Sequence, residues 1–134
     1  MRKNCFVFIL LMVMVMSMGS VSYAYREVAR GSFMSAKTES ITVFESKEDL
    51  LATFAALHIF NFEAIESLDF SKEIPVFIVA SACPDSGYRI VAEIIDFRNG
   101  EVNVKYKTER GPEGMMYAQV ISYPWLLAAV EKQP

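Results

Sequence analysis

The side chains able to do chemistry in this chain are few and poorly spaced for it. Beyond the first two dozen residues there is one cysteine, Cys83, and one histidine, His58. A Cys–His dyad would need the imidazole to hold the thiol as a thiolate. A single residue of each type pairs too easily by chance to signal one. Ser86, inside Asp85-Ser86-Gly87, is a nucleophile setting only in outline, because it lacks the strand–elbow–helix context of a hydrolase serine. It would also depend on the same lone histidine as its base. No His/Cys/Asp spacing matches a metal-ligand pattern, and no glycine-rich phosphate loop precedes a helix. The expectation is therefore no catalytic residue, no metal and no cofactor. Cys83 is read as a part-buried small hydrophobe at a strand end, with a disulfide to a partner and a nucleophile as alternatives. His58 is read as a residue at a helix C-terminus, where the negative end of the helix favours a cation.

Three loops suit recognition better than chemistry. In Cys83-Pro84-Asp85-Ser86-Gly87-Tyr88, Pro84 pre-sets one turn dihedral and Gly87 permits a positive φ next to Tyr88. Such a loop is either plain turn geometry or a rigid platform presenting Asp85, Ser86 and Tyr88, which loses little entropy on binding. Gly111-Pro-Glu-Gly-Met-Met116 is ordinary punctuation unless Met115 and Met116 lie in the loop, where adaptable thioethers line a protein-binding surface. Tyr123-Pro124-Trp125 carries the sole tryptophan. Pro124 argues against a central-strand position, and Trp125 is either a core plug or an interface anchor. A lone Trp in so small a domain is expected to be at least half buried. The candidate partner-binding residues are Pro84, Asp85, Ser86, Gly87, Tyr88, Met115, Met116, Tyr123, Pro124 and Trp125.

The elements that position these loops are mostly strands. Tyr25–Phe33 and Ile41–Phe44 are β-prone, with Gly31 expected at a bulge or bend. Ser46 followed three residues later by Asp49 approximates a capping box, and Leu50, Leu51, Phe54 and Leu57 recur at helical spacing. Asn61–Leu68 can add a short second helix. Ile74–Ala82 is a buried strand. From Tyr88 the period changes to two, with Tyr88, Ile90, Ala92 and Ile94 on one face. Asn99-Gly100 marks a two-residue hairpin turn, and Val102, Val104 and Tyr106 alternate after it. The Tyr123 corner is expected between the last two of five strands in this half. The fold class is mainly β with α (α+β): a small antiparallel sheet, sandwich or open barrel with one packed helix.

The first residues are read as an export signal. Arg2 and Lys3 precede an apolar run from Cys5 to Met16, and Ser22-Tyr23-Ala24 offers a cleavage site before Tyr25. The apolar run is shorter than the ~20 residues a spanning helix needs. The mature domain is then residues 25–134, a length suited to one core. Arg2 and Lys3 leave with the signal, so 11 basic side chains face 16 acidic ones, a net charge of −5. With no Lys/Arg cluster, neither nucleic acid nor an anionic membrane surface is an expected partner.

At its loops the chain resembles the PrcB family, named for a protease complex subunit in secreted bacterial proteins. The matching pieces are Asp69-Phe70-Ser71-Lys72, Pro84 to Ile90, Gly111-Pro112-Glu113-Gly114 with Gln119, and Tyr123-Pro124, with Gly31-Ser32-Phe33 and the Ser46–Leu57 helix in the same order upstream. The chain departs where Asp85-Ser86 replaces the usual Thr-Gly, where Ala82-Cys83 replaces a Gly-centred pair, and where Trp125 replaces Tyr. The resemblance implies a non-catalytic accessory subunit whose partner is an extracytoplasmic protein such as a secreted protease. A local similarity also runs to chagasin-like peptidase inhibitors. They present Asn-Pro-Thr-Thr-Gly-Tyr/Phe and Arg-Pro-Trp on neighbouring loops of an immunoglobulin-like sandwich, echoed by Pro84–Tyr88 and Pro124-Trp125, but the matching Asn and Arg are absent here. That alternative requires the Pro84–Tyr88 and Tyr123–Trp125 loops to lie side by side.

Overall fold

The computed structural model describes residues 25–132, so the export signal expected at residues 1–24 lies outside them. The strands are β1 (Tyr25–Phe33), β2 (Ser40–Val43), β3 (Glu73–Val79), β4 (Tyr88–Arg98), β5 (Glu101–Arg110) and β6 (Tyr123–Glu131). Two helices, α1 (Lys47–Ala56) and α2 (Phe62–Glu66), lie between β2 and β3. The strands make a four-stranded antiparallel sheet in the order β1-β6-β3-β2 and a separate β4-β5 hairpin. The fold is mainly β with helix, as the residue patterns predict.

Two cores flank the four-stranded sheet. On one face, Leu50 and Phe54 of α1 and Ile65 of α2 pack with Phe77, Val79, Trp125 and Leu127. On the other, Ile90 and Ile95 of the hairpin pack with Val76, Ile78, Leu126, Ala128 and Val130. Alternate residues of β3 and β6 thus point into different cores. That is why both strands read as unbroken apolar runs, whereas the hairpin, wet on its outer face, alternates.

Local chemistry sets the ends of each element. The Ser46 side chain accepts from the Asp49 amide at 3.2 Å and caps α1. His58 closes the helix at φ 57°, its N–H donating to the Ala55 carbonyl while Ile59 N–H reaches that of Phe54. This is a Schellman closure with histidine in the place glycine usually takes. Asn99 and Gly100, at φ 53° and 77°, make the tight hairpin turn.

Several expectations are corrected by the pairing. The bulge in β1 falls at Val28, between Glu27 and Ala29, and not at Gly31. It switches the strand from facing the hairpin at Tyr25 to facing the helices at Ala29 and Phe33. A second bulge at Glu93 shifts the phase of β4, so Ile95 and Phe97, not Ile94, continue the inner face of Ile90 and Ala92. The C-terminal half has four strands and not five, because residues 115–122 make no strand. Tyr123-Pro124-Trp125 therefore opens β6 instead of forming a corner between strands. Pro124 sits in this central strand at its second residue, accepting from Ala80 N–H at 2.8 Å. The β3–β6 ladder ends there, so the missing proline N–H costs only the last rung. Pro75 does the same between β2 and β3, accepting from Phe44 N–H at 3.0 Å.

Candidate functional site

The loops that leave β3 and enter β6 are built against each other. Cys83 and Ser122 exchange backbone hydrogen bonds of 2.8 and 3.0 Å. Beyond that bridge, the Asp85 carboxylate does three things that a presented side chain could not. It accepts from Gly87 N–H at 2.8 Å, closing an Asx turn. It pairs with the Arg110 guanidinium at 3.2 Å, and it lies buried at 8 % exposure. The Asp85 carbonyl in turn accepts from the buried Ser122 hydroxyl at 2.6 Å. Ser86 completes the seam, its N–H donating to the Ala118 carbonyl and its Oγ accepting from Ala118 N–H at 2.8 Å.

Tyr117 locks the arrangement. Its ring lies so close over Gly87 that a Cβ there would meet ring carbons at 2.7 Å, and it also covers Gly111. The Tyr117 hydroxyl donates to the Pro112 carbonyl at 3.0 Å, and the Arg110 guanidinium sits 5.2 Å from the ring centroid. Gly111 N–H donates to the Gly87 carbonyl at 2.8 Å. Here the two glycines are required because an aromatic ring occupies the space their side chains would fill.

Pinned at 111, 117, 118 and 122, the long loop turns its remaining residues outward. Met116 is 99 % exposed and Met115 61 %, with Val120 and Ile121 also open to solvent. Both methionines are thus in the loop and not in the following strand. Pro84 is also exposed, and Tyr88 and Tyr123 are half-buried. Asp85, Pro124 and Trp125 are buried and cannot meet a partner from this arrangement, a correction to their reading as contact residues. Trp125, 7 % exposed, is the plug of the helix-side core, its ring centroid 5.8 Å from Phe77 and 6.0 Å from Phe54. Arg110, Tyr117 and Ser122 were not among the sequence candidates. The paired glycines Gly87 and Gly111 are their only trace in the sequence, and nothing there couples the two.

The groups that drew attention as nucleophiles are otherwise engaged. Burial pushes the Cys83 thiol above its ordinary pKa, and its Sγ donates to the Ser81 carbonyl at 3.6 Å. The Ser86 hydroxyl faces a backbone amide and not a base. Among the described residues no group of three His, Cys, Asp or Glu is disposed to hold a metal ion. The surface built here is apolar and pre-shaped, and its physical capacity is docking.

The segment carrying this surface also carries the similarity to known proteins. Residues 75–131 match the family model described as PrcB C-terminal. The match takes in β3 from Pro75 onward, the β4-β5 hairpin, the two pinned loops and β6, and leaves β1, β2 and the helices outside. No curated protein and no solved structure gives a match. Over residues 75–131, the chain is thus similar to the PrcB C-terminal family.

Proposed function

We propose that this protein is an exported, non-catalytic binding domain that serves as an accessory subunit of an extracytoplasmic protease complex. One observation supports the docking half of this reading: the PrcB C-terminal segment spends Asp85, Ser86, Arg110 and Tyr117 on pinning a loop whose outward residues are Met115, Met116, Val120 and Ile121. Apolar side chains held on a rigid loop bind with little ordering cost, and methionine adapts to the surface it meets. The protease half rests on the family. Export rests on the basic, apolar and small-residue order of the first 24 residues.

The inhibitor alternative is not carried further. The Pro84–Tyr88 loop does adjoin the entry to β6 through Ser122, but Tyr123–Trp125 is strand and its tryptophan faces the core.

The test is affinity capture of the tagged full-length chain from the producing cell's extracytoplasmic fraction, followed by a peptidase assay and mass spectrometry. The expected result is an N-terminus at Tyr25 and a co-eluting peptidase. Met115→Asp with Met116→Asp should lose that peptidase, a cost of about 2 kcal/mol or more for an anchor pair, with the melting temperature unchanged. A peptidase retained by the double variant would move the contact elsewhere. Repeated capture with no peptidase at all would sink the accessory-subunit reading.

A further inference from the structure

The β2 edge of the large sheet is open, in contrast to the opposite side of the molecule. There, β1 lies beside β4, and its side chains occupy carbonyls of that strand. Arg30 donates to the Ile90 carbonyl at 3.2 Å and Tyr25 to that of Ala92 at 3.4 Å. Among the described residues, no side chain reaches the outer backbone groups of Ser40–Val43 in this way. Phe44 N–H points to Pro75 of β3, so the ladder uses Ser40, Thr42 and Phe44 for its inward bonds. The N–H and C=O of Ile41 and Val43 therefore face away from the sheet. Their side chains lie on the hairpin face, opposite Ile78 and Val76, and remain 48 % and 42 % exposed. Strand β5 likewise pairs only with β4 among the described strands, and its Tyr106 hydroxyl reaches Glu39, the residue just before β2.

Where β2 ends, a cleft of about 660 Å³ opens between the sheet and the hairpin tip. Val43, Ile74, Phe97 and Val102 give it apolar walls. Its charged lining is three carboxylates, Glu45, Glu73 and Glu101, against one ammonium, Lys132. Glu73 is held by Arg26, and Lys132 donates to the Phe70 carbonyl at 2.8 Å. Glu45 and Glu101 have no cationic partner among the described residues.

We propose that β2 and this cleft form a strand-addition site. Its occupant is an extended segment of a protein partner with apolar side chains at alternate positions and one lysine or arginine among them. The segment's backbone pairs with Ile41 and Val43. Its inward side chains follow those two residues onto the hairpin face, and the basic one enters the cleft between Glu45 and Glu101. This site is separate from the methionine loop and does not require the partner to be a protease.

The test uses purified mature protein and a fluorescein-labelled octapeptide of alternating valine and threonine with one central lysine. A matched peptide carries glutamate in place of the lysine. Anisotropy should show the lysine peptide binding at least ten-fold more tightly, and hydrogen exchange should slow at the Ile41 and Val43 amides. Val43→Pro removes an outward N–H without touching the β2–β3 ladder, and should abolish binding while keeping the melting temperature. Glu45→Lys with Glu101→Lys leaves the backbone alone and should reverse the preference between the peptides, which decides the matter if Val43→Pro does not fold. Equal binding of the two peptides, or exchange at Ile41 and Val43 unchanged by peptide, overturns the proposal. Protection of those amides that grows with protein concentration alone, with a dimer in sedimentation, also overturns it in favour of a second copy on the edge.

Discussion

Gly31 and Trp125 form one structural unit across the β1–β6 ladder. They are partners in register, and a Cβ on Gly31 would meet the indole ring at 2.8 Å. The ring in turn touches Phe33, Phe54 and Phe77, whose centroids lie 5.8 to 6.3 Å away. Gly31→Ala pushes the indole into neighbours that have no room to yield, so it should destabilise the domain by about 1–3 kcal/mol. Chemical denaturation of the purified domain checks this, and an unchanged midpoint would mean the indole can shift freely. His58 is the reverse case, a side chain in a left-handed position that costs an L-residue roughly 1–2 kcal/mol. His58→Gly should raise the melting temperature, and a lowered one would show that the exposed imidazole makes a contact that matters.

At the scale of elements, α1 owes its place to one face and its ends to capping. Leu50 and Phe54 are fully buried while Leu51 is only half so, and Phe54 stands edge-on to Phe77 at 5.1 Å. Phe54→Ala removes a ring from the centre of the helix-side core and should cost roughly 3–5 kcal/mol. A loss below about 1 kcal/mol by equilibrium unfolding would place the helix off the sheet. The β4-β5 hairpin is held differently, by its turn and by the bulge at Glu93 that swings Ile95 and Phe97 inward. Two bulges, in β1 and β4, each redirect a strand toward the core it must fill, so they belong to the design of the layers.

The whole molecule is acidic, and its salt bridges among the described residues lie at the surface except that of the buried Asp85 with Arg110. Arg26 donates two hydrogen bonds to Glu73, at 2.8 and 3.1 Å, and holds that carboxyl below its usual range. Arg30 does the same for Glu27. A carboxylate with a depressed folded pKa adds stability above its unfolded pKa of about 4.3, and loses it as pH falls through the folded value. The melting temperature should hold from pH 7 to about 5 and decline below about 4. Glu73→Gln should shrink that acid loss. The effect is small because these pairs are solvent-screened. Melts of both proteins at pH 7 and pH 3 measure it, and an equal acid loss in the two would assign the sensitivity to other carboxylates.

Amino-acid order by itself determines whatever depends on neighbours along the chain. The Ser46 cap, the Leu50–Leu57 stripe, the Asn99-Gly100 turn and the alternating hairpin are legible for that reason, since each is closed within a few residues. The tertiary structure decides what those elements face. Because β3 and β6 are buried on both sides, their alternation vanishes, and nothing in the run Trp125–Val130 reveals that Trp125 joins the helix core while Leu126 joins the hairpin core. Residues 115–122 were expected to hold a strand, yet the backbone bonds of Ala118 and Ser122 go to Ser86 and Cys83, far back in the chain. The same distance hides the closure of Asp85, Arg110 and Tyr117 around Gly87 and Gly111. A contact between residues far apart in the chain leaves no period in the sequence, so the folded sheet alone determines which apolar side chains are covered and which, like Met115 and Met116, are left facing solvent.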